Sequence, residues 1–502
     1  MKTWILALGA LACASSAQAA DAGREAIDAA IEADADAAIE RLRDWIALPT
    51  IANMGINHME GAQYMAQLAR DAGFQEARIV ETGGVPAVFA TLDAGAEHTL
   101  GIYFMYDVKH YDESEWIAPP LEGKILPRDG EGTQLIGRGA INQKGPEMAF
   151  LTALKAFKDT GTPLPVNLVL VAEGEEEIGS PNFSKALTSS EVRQALDGAI
   201  GIMMPGGGQG LKGDTDISLG AKGVVELQLI ASQEAGGRGP SKDIHSSLHA
   251  IVDSPAWRLV KALDTLVADD GHTPAIDGWF ENVKPLSERQ LEIIDEGMKL
   301  YDEDETKMMM AAYGIVAWID DEDPRTRWIR LVGQPTVNIQ GLVAGYTGPG
   351  GKTVLPGRAE AKIDLRLVPD MTYDEAVAKL RAHLDKRGFT DIQLVASGGY
   401  SPTQTDEDSV LVQALKNYYD AHDIEYALTV RNAGSWPGVM FTGAPLNLPA
   451  VHFGMGRGGG AHAPDEWILI DSEIEGVEGY VGQAKANVDF LYEVAKAADA
   501  AD

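Results

Sequence analysis

Apolar positions recur along this chain in two rhythms, one helical and one of strand type. Ile31, Ile39, Leu42 and Ile46 follow helical spacing in the Ala-, Glu- and Asp-rich stretch 21–45 and predict an amphipathic helix ending near Pro49. Residues 61–72 predict a second helix, followed by a strand near 77–80. The runs TLGIYFMYD (99–107) and VNLVLVAE (166–173) are apolar and β-branched, the pattern of buried strands. Between them, 133–144 reads as a glycine-punctuated loop, and Pro146 then opens a helix bearing Met148, Leu151, Leu154 and Phe157. Strands alternating with helices in this way predict an α/β unit with a mostly parallel sheet.

The texture changes at about Ala221. GVVELQLIAS (223–232) alternates as a half-buried strand, and 255–314 is rich in helix formers and charge. Strand patterns return at 336–342, 359–368 and 392–396, with a helix at 373–386. After about Ser401 the first rhythm resumes with a helix at 409–420, a strand at 450–455 and a last helix at 475–497. Val477, Val481, Ala484, Val488 and Leu491 form one stripe of that helix. The expected division is 20–220 and 401–502 as one α/β domain, interrupted by an inserted α+β domain at 221–400.

Length and charge narrow the picture. At 502 residues two cores are expected. A formal net charge of −34 argues against binding nucleic acid or anionic membranes, both of which need a basic surface. Residues 1–19 resemble a secretory signal, with Lys2, an apolar core from Trp4 to Ala12, and Ala17-Gln18-Ala19 as a small-x-small cleavage site. The single cysteine, Cys13, lies within it, so the mature chain is expected to be disulfide-free and exported to the periplasm or beyond. A lipoprotein beginning at Cys13 is the alternative, although Ala10-Leu11-Ala12 is a poor lead-in.

The chemistry concentrates after the strand at 166–173, where Glu173, Glu175, Glu176 and Glu177 crowd together. Acids at the carboxyl end of a buried strand sit where α/β sheets build sites, yet an acidic run alone is as readily a solvated loop. The remaining motifs decide between the two. They are, in order, YDV (106–108), EWIAPPLEGKI (115–125), GRGAINQKG (137–145), EGEEEIGS (173–180), HSS (245–247), GSWP (434–437) and HAPDE (462–466). Together they resemble the M20 metallopeptidases in their dipeptidase and carnosinase-like branch. The resemblance implies a zinc-peptidase-like catalytic domain interrupted by a lid domain that dimerises, and a pair of divalent metals, zinc in the first instance.

Of the five ligand positions the resemblance implies, Glu177 and His462 keep the implied ligand, and Asn142 offers at best a neutral amide oxygen. Met105 stands where a His is implied, Asn142 where a bridging Asp is implied, and Met203 or Met204 where the last Asp is implied. Thioethers are weak ligands for such ions, so the expected centre is degenerate, with at most one weakly held divalent metal or none. The resemblance makes Glu176 the general base and Asp107 the acid supporting the site's geometry. It makes His245 a substrate-facing lid histidine, and Asn338, Arg366 and Ser435 the residues around the substrate's carboxylate end. Glu173 is also readable as structural, Glu175 as solvated, Arg366 as a surface strand residue and His110 as a displaced ligand. Without two cations, Asp107, Glu176 and Glu177 are expected to repel one another with little compensation beyond His462, and a Glu176–Glu177 or Glu–His462 pair to share a proton.

Three functions fit these residues. The first is an amide hydrolase acting on small peptides or N-acyl amino acids. The second is a metal-independent lyase, isomerase or transferase using the same acid–base groups. The third is a binding module, which would have no need of Glu176. A homodimer through the lid is implied by the resemblance.

Overall fold

The structure, a computed structural model, describes residues 3–501. The side chains of residues 3–21, 305, 312 and 313 lie outside that description, and with them those of the export signal expected over 1–19. In the first part of the chain, α1 (Thr3–Ile46), α2 (His58–Ala72) and α3 (Lys144–Thr160) accompany five strands of the main sheet. These are β1 (Glu76–Val80), β2 (Ala87–Leu92), β3 (Thr99–Met105), β4 (Asn167–Glu173) and β5 (Ile202–Pro205). Four strands of a second sheet follow: β6 (Gly223–Ser232), β7 (Thr336–Ala344), β8 (Arg358–Leu367) and β9 (Gln393–Tyr400). The chain then returns to the first sheet with β10 (Ala450–Phe453).

The main sheet runs in the order β1-β2-β4-β3-β5-β10. Strands β4, β3, β5 and β10 pair in parallel, while β2 is antiparallel to both β1 and β4. Both faces are covered, which is why β3 and β4 read as unbroken apolar runs. Leu100, Ile102 and Phe104 enter one core with Leu168, Leu170 and Ala172. Tyr103, Met105, Val169 and Val171 enter another, on the opposite face. Helix α1 lays Ile27, Ile31, Leu42 and Trp45 into the first core, at the spacing its sequence predicts.

The second sheet is antiparallel throughout, in the order β7-β8-β6-β9. Its core joins Val225, Leu227 and Leu229 to Leu259 and Leu263 of α4 (Pro255–Asp264). Each such leucine, fully buried, contributes about 1.5–3 kcal/mol. Not all of the inserted segment joins this core. Ile293 and Ile294 of α5 (Glu288–Gly297) and Val332 of α6 (Pro324–Gly333) belong to the main-sheet core instead. The later α7 (Tyr373–Lys386) returns to the second sheet with Leu380 and Leu384.

Two local expectations are corrected. The stretch 133–144 is not all loop, because Gly132–Ile136 is a strand paired with Lys124–Arg128 and Trp467–Ser472. After α8 (Val410–Ala421), the last helix, α9, spans Tyr480–Ala501 rather than starting at 475. Gly476 turns the chain there with φ 79°, so Val477 packs with Trp467 and Leu469 outside the helix. Among the described residues no helix is long and apolar enough to cross a membrane.

Candidate active site

Met105 and Glu173 face each other across the last rung of the parallel β3–β4 pair. The residues just past both strands therefore emerge side by side at the carboxyl edge of the sheet. From the β3 side comes Asp107, fully buried. Its carboxylate accepts the backbone N–H groups of Glu176 (3.3 Å) and Glu177 (3.1 Å), which lie in a short 3₁₀ turn after β4. Asp107 thus fixes the turn that carries the glutamates. The acidic run is no solvated loop: Glu173, Glu175 and Glu177 are all buried. Glu173 accepts from Tyr103 (3.0 Å) and Ser180 (2.9 Å). Glu175, expected to be solvated, instead accepts from the backbone of Val85 (3.0 Å) and from Asn182.

Three nitrogens converge on Glu177. Asn142 Nδ2 donates to Oε1 at 2.9 Å, His462 Nε2 lies 3.1 Å from Oε2, and Lys109 Nζ lies 3.3 Å from Oε2. Lys109 also donates to the Glu177 carbonyl oxygen, and Asn142 Nδ2 is 3.0 Å from His462 Nε2. Glu176 points elsewhere and accepts from the Tyr400 hydroxyl at 3.0 Å, at the end of β9. Val108, Lys109, His110, Glu177, Glu226 and His462 line a cleft of about 270 Å³.

The electrostatics split the two glutamates. Burial, reinforced by the charge of Glu177, pushes Glu176 up to about 7, against the pull of Lys109 and Tyr400. Burial also works against Glu177, but its hydrogen bond to His462 and the charge of Lys109 hold it below the usual glutamate range. The bond to Glu177 raises His462 in turn. Asp107 is pushed well above the carboxylate range by burial, then by Glu177 and Glu176. Burial opposes the charge on Lys109, yet Glu177, Glu176 and Glu226 outweigh it and raise its pKa. The expectation that His462 alone compensates the acids is therefore corrected: Lys109 supplies a second positive charge in direct contact.

The loop carrying Asn142 is held by a buried ion pair. Glu466 accepts from Arg138 Nη1 (2.8 Å) and from the backbone N–H groups of Gly139, Ile141 and Asn142. Arg138 also donates to the His462 carbonyl at 3.3 Å, so both sides of the Glu177 cluster hang on one pair.

A second set of predicted residues gathers at the base of the inserted sheet. Asn338 donates to Asp364 (2.9 Å), Asp364 lies 3.4 Å from Arg366, and Arg366 donates to Ser435 (3.0 Å). Arg366 is thus no free surface arginine. Lys222 stands nearby, its amine lowered to about 8 by burial and by the charges of Arg431 and Arg366. His245 is not drawn into the Glu177 cluster within one chain. It is exposed, and its ring meets Ser247 (2.8 Å) and Thr353 (3.5 Å). Met105 and Met203 are buried on opposite faces of the sheet, and Met204 is buried as well. His110 lines the cleft and stacks on Tyr111.

A model of peptidase family M20/M25/M40 matches residues 102–485. The chain belongs to this family. Among curated relatives of this M20 hydrolase is a Cys-Gly metallodipeptidase of Candida albicans, 25% identical over 467 residues, spanning 87% of this chain and 92% of the relative. The human Beta-Ala-His dipeptidase is 28% identical over 309 residues, spanning 60% of this chain and 56% of that protein. In three dimensions the M20 chain resembles an M20 family metallo-carboxypeptidase of Sulfolobus solfataricus. That match has a TM-score of 0.78 and 31% identity, and covers 91% of this chain and 99% of the other. The fold of human carnosine dipeptidase 1 superposes with a TM-score of 0.77, covering 94% of this chain and 100% of that one at 23% identity. A catalytic domain with an inserted lid is the architecture this M20 chain shares with them.

Three groups in this M20 site escape a reading of the sequence for ligands. Lys109, two residues past Asp107, is visible in YDVK once a cation rather than a metal donor is sought. Glu466 lies inside HAPDE. Tyr400 has no local signal, since it lies 224 residues from Glu176.

Proposed function

We propose that this M20-family protein hydrolyses amide bonds in small peptides or N-acyl amino acids, with Glu176 as general base and without the usual two-metal centre. The observation that carries this reading is the placement of Glu176, held by the Tyr400 hydroxyl in the same short turn as Glu177, whose pair with His462 lines the cleft. Glu176 takes a proton from water, the oxygen adds to the carbonyl carbon, and the proton passes to the departing amine nitrogen. The relatives named as dipeptidases support short peptides as the substrate class. Arg366, its planar fork suited to a carboxylate, is proposed to take the substrate's acidic end with Ser435 and Asn338.

The donor set does not fit a metal pair. Met105 and Met203 are locked in apolar cores, Asn142 presents its amide nitrogen to Glu177, and Lys109 sets an ammonium on the same carboxylate. The loss of these ligands is also what favours a second reading, elimination or group transfer by the same acid–base groups. Incubating the protein with a dipeptide library in ¹⁸O-labelled water separates the two by mass spectrometry. Hydrolysis places one ¹⁸O in each new carboxylate, whereas products lacking the elements of water would overturn the hydrolase reading.

The proposal includes a homodimer through the inserted sheet. Strand β7 is an edge strand with Ile339, Leu342 and Val343 exposed, a surface that invites pairing. Light scattering should give twice the chain mass, and a monomer at micromolar concentration would rule the dimer out.

A further inference from the structure

The cluster around Glu177 carries one inference beyond this reading, and it rests on it. We propose that the Lys109 ammonium is the resident cation of the site, taking the electrostatic place of the metals, and that it stabilises the oxyanion of the substrate carbonyl.

A carboxylate buried to the extent of Glu177 needs a compensating charge, and Lys109 Nζ lies 3.3 Å from its Oε2. The same ammonium bonds the Glu177 carbonyl oxygen, so it is tethered at two points of one residue. An ammonium has three N–H donors. The third finds no acceptor among the described residues, and the Lys109 side chain, 35% exposed, lines the cleft. A fixed donor facing the cavity, its counter-ion behind it, is what a developing carbonyl oxyanion requires. Lys109 also works against metal entry, since a divalent ion approaching Glu177 and His462 would meet an ammonium already on the shared carboxylate. Asn142 reinforces this, because its nitrogen rather than its oxygen faces Glu177.

The test pairs metal uptake with kinetics on the wild type, Lys109→Gln and the double variant Lys109→Gln/Asn142→Asp. Zinc and manganese uptake are read by calorimetry and elemental analysis, and melting temperature checks that each variant is folded. The wild type is expected to take up no stoichiometric metal, and the double variant about one equivalent of zinc, from the freed carboxylates and His462. On a hydrolysed substrate, Lys109→Gln should lower kcat by about 100-fold with little change in KM, the loss expected of one oxyanion donor. Lys109→Arg, which keeps the charge, should recover part of it. Two equivalents of tightly bound metal in the wild type would overturn the proposal, and so would a Lys109→Gln enzyme with unchanged kcat. If no amide is hydrolysed by any form, the hydrolase reading fails, while the metal arm still decides whether Lys109 is the site's cation. If Lys109→Gln does not fold, wild-type metal uptake alone decides it.

Discussion

Glu176→Gln should lower kcat by about 100- to 10,000-fold, the range a general base supplies. The substitution is close to isosteric, and its amide oxygen can still accept the Tyr400 hydroxyl now at 3.0 Å. The backbone N–H that ties this turn to Asp107 is untouched. Removing one of three crowded carboxyl groups also relieves the repulsion that raises Asp107 and Glu176 itself. The folded state should therefore melt no lower than the wild type, and an activity loss cannot be charged to unfolding. Turnover and thermal melting measured side by side decide the matter. A Glu176→Gln enzyme keeping more than half of its activity would remove Glu176 from the chemistry.

Glu466→Ala should destabilise the fold by about 3–5 kcal/mol, the usual effect of breaking a buried ion pair by deleting one partner. Arg138 would keep its charge with 3% of its surface exposed and no counter-ion at 2.8 Å. The N–H groups of Gly139, Ile141 and Asn142 would lose their acceptor together. Because Arg138 also holds the His462 carbonyl, activity should fall further than stability alone accounts for. Glu466→Gln, which keeps an acceptor oxygen but not the charge, should fall between the two. Denaturant midpoints give the measure, and a shift below about 0.5 kcal/mol for Glu466→Ala would mean that the loop is held by other contacts.

Much of this molecule is decided locally and is legible in its residues. Helices α7 and α8, strands β6 and β8 and the buried run into Glu173 follow from periodicity within about ten residues. The order of motifs from Tyr106 to Glu466 likewise locates the glutamates, Asn142 and His462. The two corrected elements differ from expectation for different reasons. Gly132–Ile136 is a strand held between Lys124–Arg128, in a local hairpin, and Trp467–Ser472, which arrives from the far end of the chain. The start of α9 depends on a left-handed Gly476 rather than on the apolar stripe. Helices α5 and α6 lie inside the inserted segment, yet their apolar faces fit the main core, a choice between two hydrophobic surfaces that periodicity cannot rank.

The chemistry of the site was decided almost wholly by tertiary contact. The sequence sets only Glu176 and Glu177 side by side, with Asp107 about 70 residues away, and how each is charged depends on the nitrogens that reach them. Lys109 meets Glu177 across 68 residues, Tyr400 meets Glu176 across 224, and Asn142 meets His462 across 320. The first two meetings follow from the parallel pairing of β3 with β4 and from the arrival of β9 beside the Glu176 turn. Both are properties of how strands are ordered in space, which no window of sequence contains.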